Sequence, residues 1–340
     1  HFMILKKMTQ FFKIFFFSLI FLPLNYLYAD TTKFDVWLKE FTLVAKKEGV
    51  SESTINNTLL NSKFLPKVIE YDRYQPEFYE DTNTYINKRA TKSKVRKGIA
   101  LYKKEKDTIN VVEKKFSVEK ELLLSLMGIE TNFGKYLGKM DIISSLATLS
   151  FDKRRSAFFT NELLILLKLI DKKIIDPKIL YGSWAGAFGN FQFMPSTIKN
   201  YALDYNNDDL IDLKSTKDSF ASAANYINKL GWRKNDPCFY KIKLKENIPI
   251  KYLNTSAKKI KNKKKFKYFK KYIVDSENIK INQNLTTGII TPDREIVENS
   301  KLLEPAYLTF DNYELILKWN RSLRFALAVC TLKDKFKNEL

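Results

Sequence analysis

The stretch that decides the fold is "ELLLSLMGIETNFG", residues 121–134. Its first part is an apolar run of good helix formers, and Glu130 follows at the end of that run. Apolar surroundings raise the pKa of a carboxyl group because they disfavour its charged form. The stretch therefore predicts a buried helix over 118–129 that delivers Glu130 as a general acid. The alternative is a solvated glutamate that merely ends a surface helix.

The composition is that of a folded protein with a large excess of positive charge. The chain has 340 residues, 45% of them hydrophobic, and a formal net charge of +21. Such an excess indicates a polyanionic partner, which can be nucleic acid, an anionic membrane surface or an acidic cell-wall polymer. The only histidine is His1, so histidine-based catalysis is excluded.

The first 29 residues have the order of a secretory signal peptide. Lysines are followed by an apolar run from Ile14 to Leu24, and Ala29 stands at the expected cleavage site. We therefore predict a signal peptide over 1–29 and export to the periplasm, and export disfavours nucleic acid as the partner. A permanent membrane anchor is the alternative, although the apolar run is short for a membrane-spanning helix.

The two cysteines leave two interpretations open. Cys238 and Cys330 could form a disulfide in an oxidising compartment. Cys330 lies in an apolar helical pattern, where a free buried thiol is equally natural.

The pattern along the chain predicts an α+β fold that is predominantly helical. Helical periodicity dominates up to about residue 236, except in the glycine- and aromatic-rich stretch 181–196, which we expect to be an ordered loop. Alternating apolar and polar residues in 238–245, 248–253 and 277–283 predict half-exposed strands. A lysine-rich run, "AKKIKNKKKFKYFKKY", separates them at 257–272. The last residues return to helix.

Four stretches together resemble the membrane-bound lytic murein transglycosylase B family. They are "GIETNFGKYLG" at 128–138, "ISSLATLSFDKRRSAFFTNEL" at 143–163, "GSWAGAFGNFQFMPSTIKNYALDYNNDD" at 182–209 and "LKWNRSLRFALAV" at 317–329. The resemblance runs from about residue 34 to 335 and is weakest in the β-rich stretch. Each piece alone is unspecific, whereas the combination is highly specific.

The resemblance implies a lysozyme-like catalytic core with an additional α region and a small β-rich region. The implied regions are an N-terminal α region at 30–105, the core at 106–236, the β-rich region at 237–310, and a C-terminal helix at 311–340 that returns to the active site.

The resemblance also implies a reaction. The family cleaves the β-1,4 bond between N-acetylmuramic acid and N-acetylglucosamine in peptidoglycan and forms a 1,6-anhydro ring. Its single catalytic glutamate corresponds to Glu130, acting first as acid and then as base, with no organic cofactor. Asp141 and Asp152 are nearby in sequence, and we expect them to be helix caps or surface charges. The alternatives are a non-catalytic peptidoglycan-binding or scaffold protein and a hydrolytic muramidase.

Partners follow from the same resemblance. We expect peptidoglycan glycan strands, other cell-wall enzymes as possible partners, no nucleic acid, and membrane contact only through an uncleaved signal segment.

The glycine-rich loop is expected to contact the glycan. By resemblance, Ser183 and Gln192 hydrogen-bond the substrate, and Met194 lines a subsite. Matching positions elsewhere are Tyr85, Tyr226 and Asn320. For each tyrosine, a half-buried core residue is the alternative.

Aromatic residues in and after this loop carry further expectations. Of Phe188, Phe191 and Phe193, we expect two to pack in the core. Trp319 and Phe325 stand where the family commonly has tyrosine, so the hydrogen bonds of those hydroxyls are lost.

The acidic stretch 204–218 resembles the calcium loop of the family. Oxygen ligands at alternating positions suit Ca²⁺, and the set is Asp204, Asn206, Asp208, Leu210 through its carbonyl, Asp212 and Asp218. Asp209 stands where an EF-hand loop has glycine, which predicts a strained turn. We expect a structural Ca²⁺ away from the chemistry, and an acidic turn without metal is the alternative.

Overall fold

The computed structural model describes residues 22–74, 80–294 and 296–340, with side chains from residue 30 onward. The chain groups into two compact units: residues up to 72 with 140–186, and 73–139 with 187–340. The predicted signal segment, 1–29, lies outside the described residues except for its last part, which belongs to the first helix. None of the helices in the described ranges combines the length and the apolar character needed to cross a bilayer.

The elements confirm a mainly helical α+β fold. The helices are α1 Leu22–Lys47, α2 Glu52–Asn57, α3 Pro66–Arg73, α4 Thr82–Arg89, α5 Lys92–Lys104, α6 Lys106–Phe116, α7 Lys120–Thr131, α8 Ile142–Phe151, α9 Ser156–Asp171, α10 Pro195–Tyr201, α11 Thr216–Lys229, α12 Phe266–Phe269, α13 Asp311–Trp319 and α14 Leu323–Lys337. The strands are β1 Met140–Asp141, β2 Tyr181–Gly182, β3 Phe239–Ile242, β4 Leu253–Asn254, β5 Lys264–Lys265, β6 Thr286–Ile290 and β7 Ala306–Thr309.

The first unit is helical, with a short antiparallel pair, β1 and β2. Gly49 follows α1 with φ +89°, a conformation that suits glycine. The Ser51 side chain caps α2 by accepting from the Thr54 N–H at 3.2 Å. The hydroxyl groups of Ser51 and Thr54 both donate to the Asp171 carboxylate of α9. These contacts fix α2 against α9.

The two aspartates flanking α8 have local structural roles. Asp141 caps the start of α8 by accepting from the Ser144 N–H at 2.6 Å. Asp152 follows the end of α8 and accepts from the Arg154 N–H at 3.3 Å. These contacts agree with the expected capping role.

Helix α7 is the buried rod of the second unit. Every residue from Leu122 to Gly128 is buried, and α7 packs against α14 and α5. Its start is fixed by Glu119, which is 5% exposed. Glu119 accepts hydrogen bonds from Trp232 Nε1 and from the Asn235 N–H, the latter at 2.9 Å.

Two glycines make room for one aromatic ring beside α7. A Cβ on Gly128 would lie 2.7 Å from Phe133 Cζ, and one on Gly98 of α5 would lie 3.0 Å from the same atom and 2.3 Å from Phe336 Cζ. Real Cβ contacts are essentially never as short as 2.7 or 2.3 Å, so glycine at both positions is what lets Phe133 approach α7 and Phe336 approach α5 so closely.

The β-rich part of the second unit has its own core. Strand β3 pairs antiparallel with β7, β7 antiparallel with β6, and β6 parallel with β4 and antiparallel with β5. Large apolar side chains, Phe266 and Phe269 among them, fill one face of this sheet.

Two of the three predicted strands are wrong in detail. Half of 248–253 is a 3-10 helix at Ile250–Tyr252, and only Leu253 of that stretch enters β4. The stretch 277–283 contains no strand, because Ile279 and Ile281 pack from a loop against the sheet core and the strand begins later, at Thr286. The alternation of apolar and polar residues therefore predicted which side chains are buried, but it did not predict which backbone segments pair as strands.

The cysteines form a disulfide. Cys238, just before β3, is bonded to Cys330 of α14, with a Cα–Cα distance of 6.2 Å and a sequence separation of 92. Of the two interpretations left open by the sequence, the bridge is the one that the structure has. It ties the β-rich part to the helix that packs on α7.

We expect the double variant Cys238→Ala/Cys330→Ala to lower the free energy of unfolding by about 2–4 kcal/mol, because a link across a long loop restricts the unfolded chain. Urea denaturation of wild type and variant measures this difference. Wild type treated with a thiol reductant is the matched control and should unfold with the variant. Equal stability of oxidised wild type and variant would contradict a stabilising bridge.

Candidate active site

The end of α7 is fixed to the glycine-rich loop by the residue after Glu130. The Thr131 hydroxyl donates to the Asn190 carbonyl at 2.8 Å and accepts from the Gly134 N–H at 3.0 Å. Asn132 and Phe133 then take left-handed conformations with φ 49° and 61°, which end the helix at once. The last turn of α7, with Glu130 on it, therefore has a defined position relative to the loop.

Glu130 is hydrogen-bonded to an indole. Trp319 Nε1 donates to Glu130 Oε1 at 3.0 Å, and both side chains are half-buried. Trp319 is the last residue of α13, so the contact joins the ends of two helices that are far apart in sequence. An indole N–H can only donate, so Oε1 is the accepting oxygen.

The Trp319 ring is held in an aromatic stack. It lies over Tyr226 of α11 with ring centroids 5.1 Å apart, and Tyr226 lies over Tyr201 with centroids 4.2 Å apart, both pairs tilted by 24°. Phe193 packs edge-on against Trp319 and Tyr226. The stack fixes the plane of the indole and thereby the direction of its N–H.

Tyr226 has a further polar contact and a changed acidity. Its hydroxyl donates to the Lys318 carbonyl at 3.3 Å, next to Trp319 in sequence. Burial raises the pKa of Tyr226, so the phenol stays protonated and able to donate.

The glycine-rich loop is a tight hairpin. Phe188 and Phe193 exchange two backbone hydrogen bonds of 2.9 Å. Gly189 has φ +79°, and a Cβ there would lie 2.4 Å from the Leu213 Cβ, so both backbone conformation and close approach require glycine. Phe188, Phe191 and Phe193 are each at most 2% exposed. All three therefore pack, where the sequence predicted two.

Gln192 projects from this hairpin. It has φ +51°, and its Nε2 donates to the carbonyls of Gly189 at 2.8 Å and Leu137 at 3.3 Å. Within the described residues no donor reaches its Oε1, which leaves that oxygen able to accept from a ligand. Met194, two residues later, is half-buried and precedes α10.

The remaining predicted substrate residues have different settings. Asn320 follows Trp319 and is half-buried, with its N–H bonded to the Ile316 carbonyl at 3.0 Å. Tyr85 of α4 is only 1% exposed, and the Arg89 guanidinium lies 3.5 Å from its ring centroid. Ser183 belongs to the first unit, where it follows β2 and is half-buried. The roles of these residues toward a substrate stay predictions.

The acidic loop 204–218 folds around its own carboxylates. Asp204 accepts from the N–H groups of Asp208 at 3.2 Å and Asp209 at 2.9 Å. Asp218, 0% exposed, accepts from the N–H groups of Tyr205 at 2.9 Å and Asp212 at 3.0 Å. Burial raises the pKa of Asp218.

The position of the expected glycine is occupied by a tolerant residue. Asp209 has φ +69°, the left-handed conformation that the turn requires and that aspartate adopts more readily than most residues. The oxygen-only donor set of this loop has the chemistry that Ca²⁺ prefers. However, no group of three or more acidic, histidine or cysteine side chains converges on one metal position within the described residues.

Comparison with known proteins identifies the family. The family model described as the transglycosylase SLT domain matches residues 33–334. The chain belongs to the SLT transglycosylase family.

A curated relative supports the same family over a shorter stretch. Membrane-bound lytic murein transglycosylase B of Escherichia coli strain K12 is 38% identical over 153 residues, which are 45% of this chain and 42% of the relative. The aligned part thus spans less than half the length of that relative.

Solved structures of this family share the fold. SltB3 from Pseudomonas aeruginosa, in complex with NAG-anhNAM-pentapeptide, has a TM-score of 0.79 and 28% identity, covering 89% of this chain and 79% of that one. A lytic transglycosylase from Escherichia coli, in complex with calcium, has a TM-score of 0.72 and 25% identity, covering 91% and 93% of the two chains. The lysozyme-like, mainly helical fold expected for the SLT family is therefore confirmed.

Sequence reasoning missed three residues of this SLT transglycosylase site. Trp319 was expected to lack a hydrogen bond where the family commonly has tyrosine, yet its N–H bonds Glu130 directly. Tyr201 supports the stack, and Thr131 fixes the helix end. Only Trp319 carried a usable signal: a partly buried indole usually finds an acceptor.

Proposed function

We propose that the chain is a lytic transglycosylase that cleaves the MurNAc-β-1,4-GlcNAc bond of peptidoglycan and forms 1,6-anhydro-MurNAc. The observation that carries the proposal is Glu130, held at the end of a buried helix with an indole N–H on one of its two carboxyl oxygens. Family membership and the murein transglycosylase activity named for the Escherichia coli relative support it.

The first step uses Glu130 as an acid. Because Trp319 donates to Oε1, the transferable proton of the carboxylic acid sits on Oε2. Oε2 gives that proton to the glycosidic oxygen while the bond from this oxygen to C1 of the muramic acid breaks. The GlcNAc side leaves as an alcohol, and positive charge develops at C1.

The second step uses the resulting carboxylate as a base. It takes the proton from the C6 hydroxyl of the same sugar, and O6 forms a bond to C1, which closes the anhydro ring. The acid form of Glu130 is regenerated and no water is consumed. One residue therefore suffices, in contrast to glycosidases that use two carboxylates.

We propose that the sugars are bound by the residues inferred from the family. Gln192 accepts from an N-acetyl or hydroxyl group through Oε1, and Met194 and Tyr226 line the site beside the acid. Ser183 and Asn320 complete the set, whereas Tyr85, which is 1% exposed, fits the alternative of a core residue. The N-terminal pattern of residues 1–29 supports action in the periplasm.

The test of this function is the mass of the products. We expect purified peptidoglycan digested with the wild type to give muramic ends one water lighter than hydrolysed ends, detected by mass spectrometry. Glu130→Gln removes the transferable proton and the base, so we expect its rate to fall by at least roughly a thousandfold, as acid and base are lost together.

Two outcomes would overturn this proposal. Reducing muramic ends as the main product would mean a hydrolytic muramidase. Binding of peptidoglycan by the wild type without any cleavage would mean a binding or scaffold protein. Glu130→Gln must retain its thermal stability and its binding to peptidoglycan for the comparison to hold.

A second variant tests the indole. Trp319→Phe keeps an aromatic ring against Tyr226 but removes the N–H from Glu130. A hydrogen bond to the charged form favours that form, so its loss lets Glu130 stay protonated to higher pH. We expect the alkaline limb of the pH–rate profile to move to higher pH.

The control is Tyr201→Phe, which alters the same stack but leaves the indole N–H in place. Its alkaline limb should coincide with that of the wild type. If the alkaline limb of the pH–rate profile of Trp319→Phe also coincides with that of the wild type, the indole N–H does not affect the protonation of Glu130.

We also propose that the loop 204–218 holds a structural Ca²⁺. The oxygen donor set and the left-handed Asp209 support this, as does the calcium complex of the Escherichia coli structure. The ligands would be Asp204, Asn206, Asp208, the Leu210 carbonyl, Asp212 and Asp218. The ion would order the loop between α10 and α11 and would take no part in the bond cleavage.

Removal of calcium tests this proposal. At a free Ca²⁺ concentration of 100 Kd the stabilisation is about 2.7 kcal/mol, so we expect a clear rise in Tm over the chelator-treated protein and none with an equal concentration of Mg²⁺. Asp204→Asn should reduce the rise, whereas Asp107→Asn, an exposed acid on α6, should not. If the Tm does not change with Ca²⁺, the loop is an acidic turn that binds no metal.

A further inference from the structure

The lysine-rich stretch around and after β4 carries only positive charges. Residues 251–272 contain ten lysines and no acidic residue. Only Lys263 of these ten has an ion pair within the described residues, with Glu314 and Asp311 of α13. Surfaces that serve only solubility carry positive and negative charges side by side. A concentration of lysines without ion pairs therefore indicates an anionic partner.

The run is a folded surface with fixed positions. Ile260, Phe266, Phe269 and Ile273 are each at most 1% exposed and anchor it to the β-rich core. The lysines between these anchors point outward, because most of them are exposed. The ammonium groups are therefore displayed from a rigid base.

Three lysines and two half-buried tyrosines, Tyr268 and Tyr272, form a cluster on this surface, and Tyr252, which is only 4% exposed, packs against the two tyrosines. Tyr252 and Tyr268 place their hydroxyls 2.8 Å apart, and the Tyr268 and Tyr272 ring centroids lie 6.1 Å apart. Lys271 Nζ lies 4.7 Å and 4.8 Å from the centroids of Tyr268 and Tyr272. Lys264 is 5.8 Å from Tyr268, and Lys251 is 5.4 Å from Tyr252.

The local potential at this cluster is positive. The hydrogen bond with Tyr252 and, further, the charges of Lys271 and Lys251 lower the pKa of Tyr268. Ammonium groups beside phenol hydroxyls offer both charge and hydrogen-bond donors to an anion. We call Lys251, Lys264 and Lys271 with Tyr252, Tyr268 and Tyr272 the lysine–tyrosine face.

An ion pair links the neighbourhood of this face to α13, the helix whose last residue, Trp319, donates to Glu130. Lys263, next to Lys264, bonds Glu314 at 2.5 Å. Glu314 precedes Trp319 by five residues in α13, which is roughly 8 Å of helix rise. A polymer that binds at the face thus lies close to the helix whose last residue contacts the acid.

We propose that the lysine–tyrosine face holds the carboxylate groups of peptidoglycan, namely those of its stem peptides, and so retains the protein on the polymer that it cleaves. The inference rests on the proposed function. A carboxylate is matched by lysine ammonium groups, and tyrosine rings suit sugar and peptide faces. Across the described residues 250–272, Ile250 is the one large apolar side chain among the exposed ones, whereas membrane-binding surfaces insert several such side chains.

The experiment measures retention on insoluble peptidoglycan by sedimentation. All proteins carry Glu130→Gln, so that binding is not confused with cleavage. The test variant is Lys251→Gln/Lys264→Gln/Lys271→Gln, and the matched control is Lys92→Gln/Lys97→Gln/Lys103→Gln, which removes three exposed charges from α5 of the same unit. Equal thermal stability of the two variants confirms that both are folded.

We expect roughly tenfold weaker retention of the test variant at about 0.05 M salt, from three exposed charge contacts, and a much smaller difference at about 0.5 M, where screening is strong. The control should stay within about twofold of its parent. Amidation of the peptidoglycan carboxylates should abolish the difference in retention between the parent protein and the test variant. Lys→Arg at the same three positions should give the retention of the parent protein, because the positive charges are kept.

Three results would overturn the proposal. One is an equal loss in both triple variants, which would mean that net charge alone acts. Another is an undiminished difference on amidated peptidoglycan. The third is face-dependent binding to vesicles with anionic lipid but not to peptidoglycan, which would make the face a membrane-docking surface.

A separate arm distinguishes this proposal from the proposed function. With Glu130 intact, the test variant should cleave a short soluble glycan peptide at the wild-type rate, because the face lies outside the chemistry. If neither protein cleaves any substrate, the proposed activity fails while the retention measurement still decides the role of the face.

Discussion

Helix α7 is buried along its length, and that single constraint sets most of the second unit. A buried helix needs defined contacts at both of its ends and glycine wherever neighbours come closest. Glu119 holds the start of α7 through a tryptophan and a backbone N–H. Thr131 holds its end through the glycine-rich hairpin. Because both ends are fixed, the side chain of Glu130 emerges at one defined point.

At that point Glu130 accepts a hydrogen bond from the indole of Trp319. The indole of Trp319 is fixed by stacking on Tyr226 and Tyr201, so its N–H needs no reorganisation to bond Oε1. A donor that cannot accept also determines which oxygen carries the acid proton. A tyrosine hydroxyl could rotate and could also accept, whereas the indole N–H of Trp319 can only donate to Glu130.

The sequence predicted what depends on local chemistry. The helix before Glu130 and the ordered loop within 181–196 both follow from short-range patterns, and the structure has the helix at Lys120–Thr131 and a hairpin that pairs Phe188 with Phe193. The strands failed because alternation reports burial and not pairing: Ile279 and Ile281 are inward-facing residues of a loop. The bond between Trp319 and Glu130 joins residues 189 positions apart, and no local pattern encodes such a meeting. The disulfide stayed undecided for the same reason.

The two surfaces of the second unit that we assign to peptidoglycan work by different physics. At Glu130 the carboxyl group is half-buried and its donor is fixed by packing, so the contact has one defined geometry. At the lysine–tyrosine face each ammonium group is solvated, mobile and screened, so each contact is weak and is readily exchanged. Several weak contacts in parallel raise the local concentration of polymer without holding any one strand in place. A protein that must release its product and find the next bond on the same polymer needs this combination: a rigid acid for the chemistry and an exchangeable, salt-sensitive surface for retention.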